Sequence, residues 1–288
     1  MTPARWVWLA LIAPAALVVV TGLVVPMVWL LQFSLLASDA GIPTGAGFTL
    51  ENYRRVFEGG GDLQVFWRSL RSAGWVTFAA MVLGYPLALW IARAPGTTAR
   101  LLTVAVLSPL LVSIVVSSYG WLVLLGQNGL VNQLLMGLGL IGSPIKLIYT
   151  ELAVVIGLTH IVLPFMVLSL LSAIEKIDPR AEEAAAVLGA SPFRRFIHVV
   201  LPLSMPGWIS GVVLSFSIAM SAYVTPAVLG PSGPRYVTSM IFNQFVTLFD
   251  WGLGAAIAIV LLGIGLALVF GFLKLAYRLG GVAAGGRA

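Results

Sequence analysis

The stretch Asp178–Phe196 reads DPRAEEAAAVLGASPFRRF, an island of six charged residues set in apolar sequence. Asp178 suits a helix N-cap and Pro179 the first helical position. Gly189 is a natural C-terminal stop, and Ser191–Pro192 repeats the start signal. A second short helix can then run to about Val200 before Leu201–Pro202 ends it. Ala184, Ala185 and Leu188 form a narrow apolar stripe at helical spacing, with Glu182 close beside it. So short a helix is not stable by propensity alone and needs something to pack against. Two readings are open: a solvated helix lying on a bilayer, or a docking element for another protein. A bilayer-surface helix usually carries a larger apolar face set with Trp or Phe. Alanines suit a shallow knob in a partner's groove, so the physics favours docking.

The surroundings of the island set the class. The chain has 288 residues, 60% hydrophobic and 9% charged, with a mean hydropathy of +1.04. A soluble domain is about 25% charged, so this chain could not cover a water-facing surface with polar groups. It reads as a membrane protein. Cysteine is absent, which excludes disulfides and thiolate metal sites. His160 and His198 are too few and too far apart for a His-based metal site. The pI near 10.0 comes from Lys and Arg spread thinly at segment ends, a pattern of membrane topology with no nucleic-acid partner.

A membrane span takes about 20 apolar residues. Six runs qualify: Trp6–Leu31, Ser72–Ala92, Leu101–Leu125, Ile148–Ile174, Gly207–Leu229 and Leu253–Ala276. The first is far longer than the 7–15 residues of a signal-peptide core, so it is read as a retained helix. Pro14, Pro26, Pro86, Pro109, Pro164 and Pro226 fall inside or at the ends of the runs, as membrane bundles tolerate. With the N-terminus inside, ten basic residues are cytoplasmic (Arg5, Arg93, Arg100, Lys176, Arg180, Arg194, Arg195, Lys274, Arg278 and Arg287) against six outside. The expected fold class is therefore all-α, a single membrane domain over 1–288 with both termini cytoplasmic. The island lies in a cytoplasmic loop, 175–206.

The island resembles the EAA loop of the membrane subunits of ABC importers. "EAAAVLGA" (Glu183–Ala190) followed by "VVLPLSMPG" (Val199–Gly207) matches that family's pattern at Glu183, Ala184, Ala185, Gly189, Leu201 and Pro202, with Val199 in place of the usual isoleucine. "SPLLVSIVVSSYGWLVLLGQNGLVNQLL" from Ser108, "LPFMVLSLLSAIEKIDP" from Leu163 and "SAYVTPAVLGPSG" from Ser221 are similar to the polyamine-type branch, the PotB-like permeases. That branch often has a basic residue shortly before the Y-x-W of the third span. Here Ser117 and Ser118 stand there, which leaves the solute open among polyamines, iron(III), phosphonates and amino-acid-like compounds.

The resemblance implies a type I importer permease in a bacterial inner membrane. It implies a second, PotC-like permease subunit, two ATPase subunits that bind ATP and Mg, and an extracytoplasmic solute-binding protein. No cofactor is expected in this chain. The island would be the coupling helix, with Glu182, Glu183, Ala184, Ala185, Leu188 and Gly189 meeting the ATPase. The resemblance implies a non-catalytic subunit rather than an enzyme, with ATP hydrolysed by a partner chain. Independently, the chain lacks any G-x-x-x-x-G-K-[ST] loop and so is not expected to bind ATP through one.

A solute path needs polar or aromatic groups facing the bundle interior. Tyr119, Trp121, Tyr223 and Thr225 are the candidates, and belt aromatics at the interface are the competing reading. Acids lie only at span ends, as Glu151 and Asp250 do. His160 reads as a packed interhelical donor rather than a ligand, and Asn243 and Gln244 as loop polars. A secondary transporter would normally hold a buried carboxylate and be complete in one chain. An intramembrane enzyme would need a nucleophile–base pair or a metal cluster. Neither pattern is present in the sequence, and the EAA-like loop argues against a channel.

Overall fold

The computed structural model describes the backbone of residues 3–39, 42–58, 62–233 and 235–284, and side chains over 11–37, 47–58, 63–233, 235–274 and at 276. The side chains of Arg5 and Arg278, and residues 285–288 with Arg287, lie outside the described residues. The chain divides into two compact units, 1–64 with 240–263 and 65–239 with 264–288.

In the first unit, α1 (Pro3–Leu35) is a 33-residue helix, about 50 Å long at 1.5 Å per residue. None of its most apolar window is buried. It ends in an antiparallel hairpin, β1 (Leu36–Asp39) and β2 (Ile42–Phe48), with Leu36 opposite Phe48. This hairpin is a local departure from the all-α expectation in a chain that is otherwise mostly helical among the described residues. The second strand carries Pro43, Gly45 and Gly47, which penalise a helix. The next helix, α2 (Glu51–Glu58), is tied back by Asn52, whose amide donates to the carbonyls of Ser34 and Leu36 at 3.1 Å each. Ser34 also hydrogen-bonds Tyr53 at 2.7 Å, and Arg55 pairs with Asp250 at 2.6 Å.

The second unit holds most of the remaining helices: α3 (Asp62–Arg93), α4 (Gly96–Leu107), α5 (Ile114–Leu124), α6 (Leu130–Gly137) and α7 (Glu151–Ile174). Then come α8 (Pro179–Val187), α9 (Pro192–Arg195), α10 (Leu201–Leu203), α11 (Met205–Ser221), α12 (Val224–Leu229), α13 (Val237–Phe242) and α14 (Trp251–Ala284). The unit boundaries fall inside α3, α13 and α14. The core is built on α7 against α11, where Val162, Met166 and Leu170 are fully buried. Gly211 makes the approach possible, because a β-carbon there would come within 2.6 Å of Met166 Sδ. Membrane helices lack a hydrophobic drive toward each other, so small residues at the seam allow the dispersion contact that holds them.

Among the described residues, four helices are long and apolar enough to cross a membrane, or six if each of two bent pairs counts once. The third apolar run is not one helix. It breaks after a 3₁₀ turn at Ser108–Leu111, and the two arms meet at 101°. Val112 is extended there and Ser113 leaves the helical region, three and four residues after Pro109, whose ring nitrogen cannot donate to the preceding turn. The fifth run starts at Met205, 68° from the preceding pieces, and stops at Ser221. Ala222 is extended, so α12 is a separate helix rather than the end of a span.

Candidate functional site

The island is fixed by its own caps. The Asp178 carboxylate accepts from Arg180 N–H at 3.0 Å and opens α8. At the other end Gly189 takes φ +79°. Gly189 N–H then donates to the Ala186 carbonyl at 2.9 Å and Ala190 N–H to that of Ala185 at 3.0 Å. These two bonds are the paired closure of a Schellman stop, which needs a left-handed residue where Gly189 stands. Ser191 caps α9 by accepting from Arg194 N–H at 3.4 Å, and a π-helical turn, Phe196–Val200, follows.

No residue of α8 is buried. Val187 and Leu188 are 88% and 87% exposed and Phe193 is 70% exposed, an apolar face that nothing in the described chain covers. Glu183, Ala184 and Gly189 are exposed as well, while Ala185 is half-buried. Ala185 lines a cleft of about 440 Å³ with Ala190, Arg194, Arg195, His198 and Val199. Glu182 departs from this group. Its two carboxylate oxygens each accept from Arg93 Nη2 at 2.8 Å, which draws it toward the C-terminal end of α3. That end is held a second time, since Tyr85 hydrogen-bonds Ser204 and stacks edge-on against Phe196 at 5.3 Å.

The candidates on the apolar helices separate into two kinds. Thr225 is 1% exposed and bonds Ser118 at 3.0 Å, joining α12 to α5. Trp121 meets His160 edge-on at 5.8 Å, and both Thr225 and Trp121 approach Gly157 of α7. Tyr119 is 56% exposed and Tyr223 half-buried, so the four do not share one surface. Glu151 is engaged by the Arg71 guanidinium through two hydrogen bonds and by Ser72 at 2.9 Å. Ser72 in turn lies 3.4 Å from the Tyr236 hydroxyl, whose pKa burial pushes upward, so the phenol stays protonated. Asn243 is half-buried and Gln244 buried. No group of His, Asp and Glu among the described residues could hold a metal.

Residues 80–278 match the family model described as the binding-protein-dependent transport system inner membrane component. The chain belongs to this family. It is 36% identical to the spermidine/putrescine transport system permease protein PotB of Haemophilus influenzae over 248 residues, 85% of this chain and 86% of that one. Identity to PotB of Escherichia coli is also 36%, over 88% of this chain and 90% of the relative. In fold the chain is similar to a crystal structure of a bacterial ABC transporter for import of the acidic polysaccharide alginate, with a TM-score of 0.79 at 17% identity over 96% of each chain.

The chain is thus the permease of a binding-protein-dependent ABC importer and a multi-pass membrane protein. The matched range contains the whole island, Arg93 and the cluster around Thr225. Along the sequence Arg93 is no more than one of the cytoplasmic loop charges. Its partner lies 89 residues away, and no local signal marks such a pairing. Along the sequence Ser118 marks only a departure from the polyamine-type pattern, whereas in the fold it hydrogen-bonds Thr225 of α12.

Proposed function

We propose that this permease imports a small polycation of the polyamine class, spermidine or putrescine, across the bacterial inner membrane. It supplies half of the pathway, beside a second, PotC-like permease, with two ATPase subunits below and a solute-binding protein on the outer side. Counting each bent pair as one span gives six spans, both termini in the cytoplasm and the 175–206 loop facing the ATPases. ATP and Mg are bound by the ATPase, and this chain couples without catalysing. The carrying observation is the uncovered face of the island, with Val187, Leu188 and Phe193 exposed beside Glu183, Ala184 and Gly189. Leaving such groups in water is unfavourable by about 25 cal/mol per Å², so a protein surface closing over them gains stability.

The polyamine class rests on the PotB relatives. A specific observation favours a second reading, another solute of the same family such as iron(III), a phosphonate or an amino-acid-like compound. No acid lies mid-span in the sequence, and Glu151 at a helix end is already neutralised by Arg71. For a polycation, the partner permease and the binding protein must then supply the negative charge. The test is the complete transporter in proteoliposomes, fed radiolabelled spermidine or putrescine through its binding protein. ATP-dependent uptake that excess unlabelled polyamine competes away is expected. Uptake of iron(III) or a phosphonate, with none of polyamine, would replace the polyamine reading. Transport by the chain without any ATPase would point to a channel or secondary transporter.

A further inference from the structure

We propose that Arg93 is a positioning residue for coupling: its ion pair with Glu182 fastens the island to the end of α3, so that the two move as one body when the ATPases close. The proposal rests on the reading of the island as the ATPase-docking element. It changes the role of Glu182 within that element from contacting the partner to holding the permease's own helix.

The geometry is specific. One nitrogen, Arg93 Nη2, serves both oxygens of Glu182 at 2.8 Å. Among the described residues these two hydrogen bonds of one ion pair are the side-chain bonds that join α8 to α3. Because α8 buries no residue, dispersion does little to hold it, and this bond matters more than its strength alone suggests. Exposed ion pairs are weak, and here the side chains are 54% and 26% exposed. A weak pair is still sufficient, because the same helix is held again at Tyr85 by the Ser204 hydrogen bond and the Phe196 ring. Arg93 thus grips the first short helix of the island, and Tyr85 grips the turn after the second.

The consequence is a third route for motion. The chain itself links the island to α7 through 175–178 and to α11 through the π-helical turn and α10. The ion pair adds α3, which runs about 33 Å from Arg71 to Arg93 at 1.5 Å per residue. At its other end α3 is joined to α7 by Arg71 and Ser72 on Glu151. Ser69 Oγ there accepts from Val237 N–H at 2.9 Å. A displacement of the island is therefore delivered to the far end of α3, where Glu151 and Val237 are held.

The chain has no cysteine, so spin labels can be placed cleanly with Gly96→Cys and Arg180→Cys, just past α3 and on α8. The labelled permease is assembled with its partner permease, ATPases and binding protein, and the label–label distance is measured without nucleotide and with ATP trapped by vanadate. The expected result is one narrow distribution with the same mean in both states. With Arg93→Gln or Glu182→Gln, a second, longer population should appear, the bound-to-released ratio falling by about 2- to 5-fold. The exchange of charges, Arg93→Glu with Glu182→Arg, should restore the narrow distribution, which a general structural role for either residue would not do. A wild-type change of more than about 3 Å between states, well within the range of helix shifts, overturns the proposal. So do neutral variants that match wild type, or an exchanged pair no better than the single changes. The coupling reading beneath it fails separately, if Glu183→Lys keeps both uptake and the ATPase at wild-type levels.

Discussion

Gly189 carries the most local demand in the molecule. Its φ of +79° is one that a side chain with a β-carbon adopts only at a cost, about 1 kcal/mol and more when the residue is β-branched. Gly189→Val should therefore misdirect α9 while leaving the membrane helices folded, and uptake should fall with weaker co-purification of the ATPase. Glu183→Lys acts by charge, not backbone. It reverses the sign of an exposed group on the face proposed to dock the ATPase and should cost about 1–3 kcal/mol of ATPase affinity if the carboxylate accepts hydrogen bonds there. ATPase retention on the detergent-solubilised permease reads both. Thr225 behaves differently because it is buried. Thr225→Val deletes its bond to Ser118, but Ser118 keeps a 2.8 Å bond to the Ile114 carbonyl and is not orphaned. The expected loss is about 0.6 kcal/mol of stability, with the uptake KM unchanged. A tenfold rise in KM would return Thr225 to the solute path.

Between elements, two kinds of contact alternate. The α7–α11 seam is apolar and close, and it depends on Gly211. Gly211→Leu forces a side chain into Met166 and should cost about 1–3 kcal/mol, seen as a lower unfolding temperature in detergent. Met166→Ala should recover part of that loss, because the two positions share one space. The island is the opposite case. At nine residues, α8 is below the 12–15 at which isolated helices become even marginally stable in water. A peptide covering 178–200 should show little helix by circular dichroism and gain it on adding the ATPase.

At the scale of the whole molecule, the spacing of apolar helices and the placement of Lys and Arg bear on topology. Reporter fusions near Gly96 and Arg180 should be cytoplasmic, and those near Gly142 and Ser232 should face outward. A reversed pattern at two or more of these sites would remove the six-span reading, since the basic bias of ten to six is modest.

The membrane class, the two start signals and glycine stop of the island, and the EAA resemblance could all be read along the chain. Each depends on neighbours a few residues apart or on composition summed over a run, and such signals survive without knowledge of the fold. The break at Val112–Ser113 and the separation of α12 from α11 were not legible. Hydropathy records only that a run is apolar, and a lipid-soluble run reads alike whether straight or bent by 101°. The ion pair of Arg93 with Glu182 and the capture of Glu151 by Arg71 join residues 89 and 80 positions apart. Which charges meet over that separation is decided by how α3 packs beside α7 and the island, and only the tertiary structure holds that information.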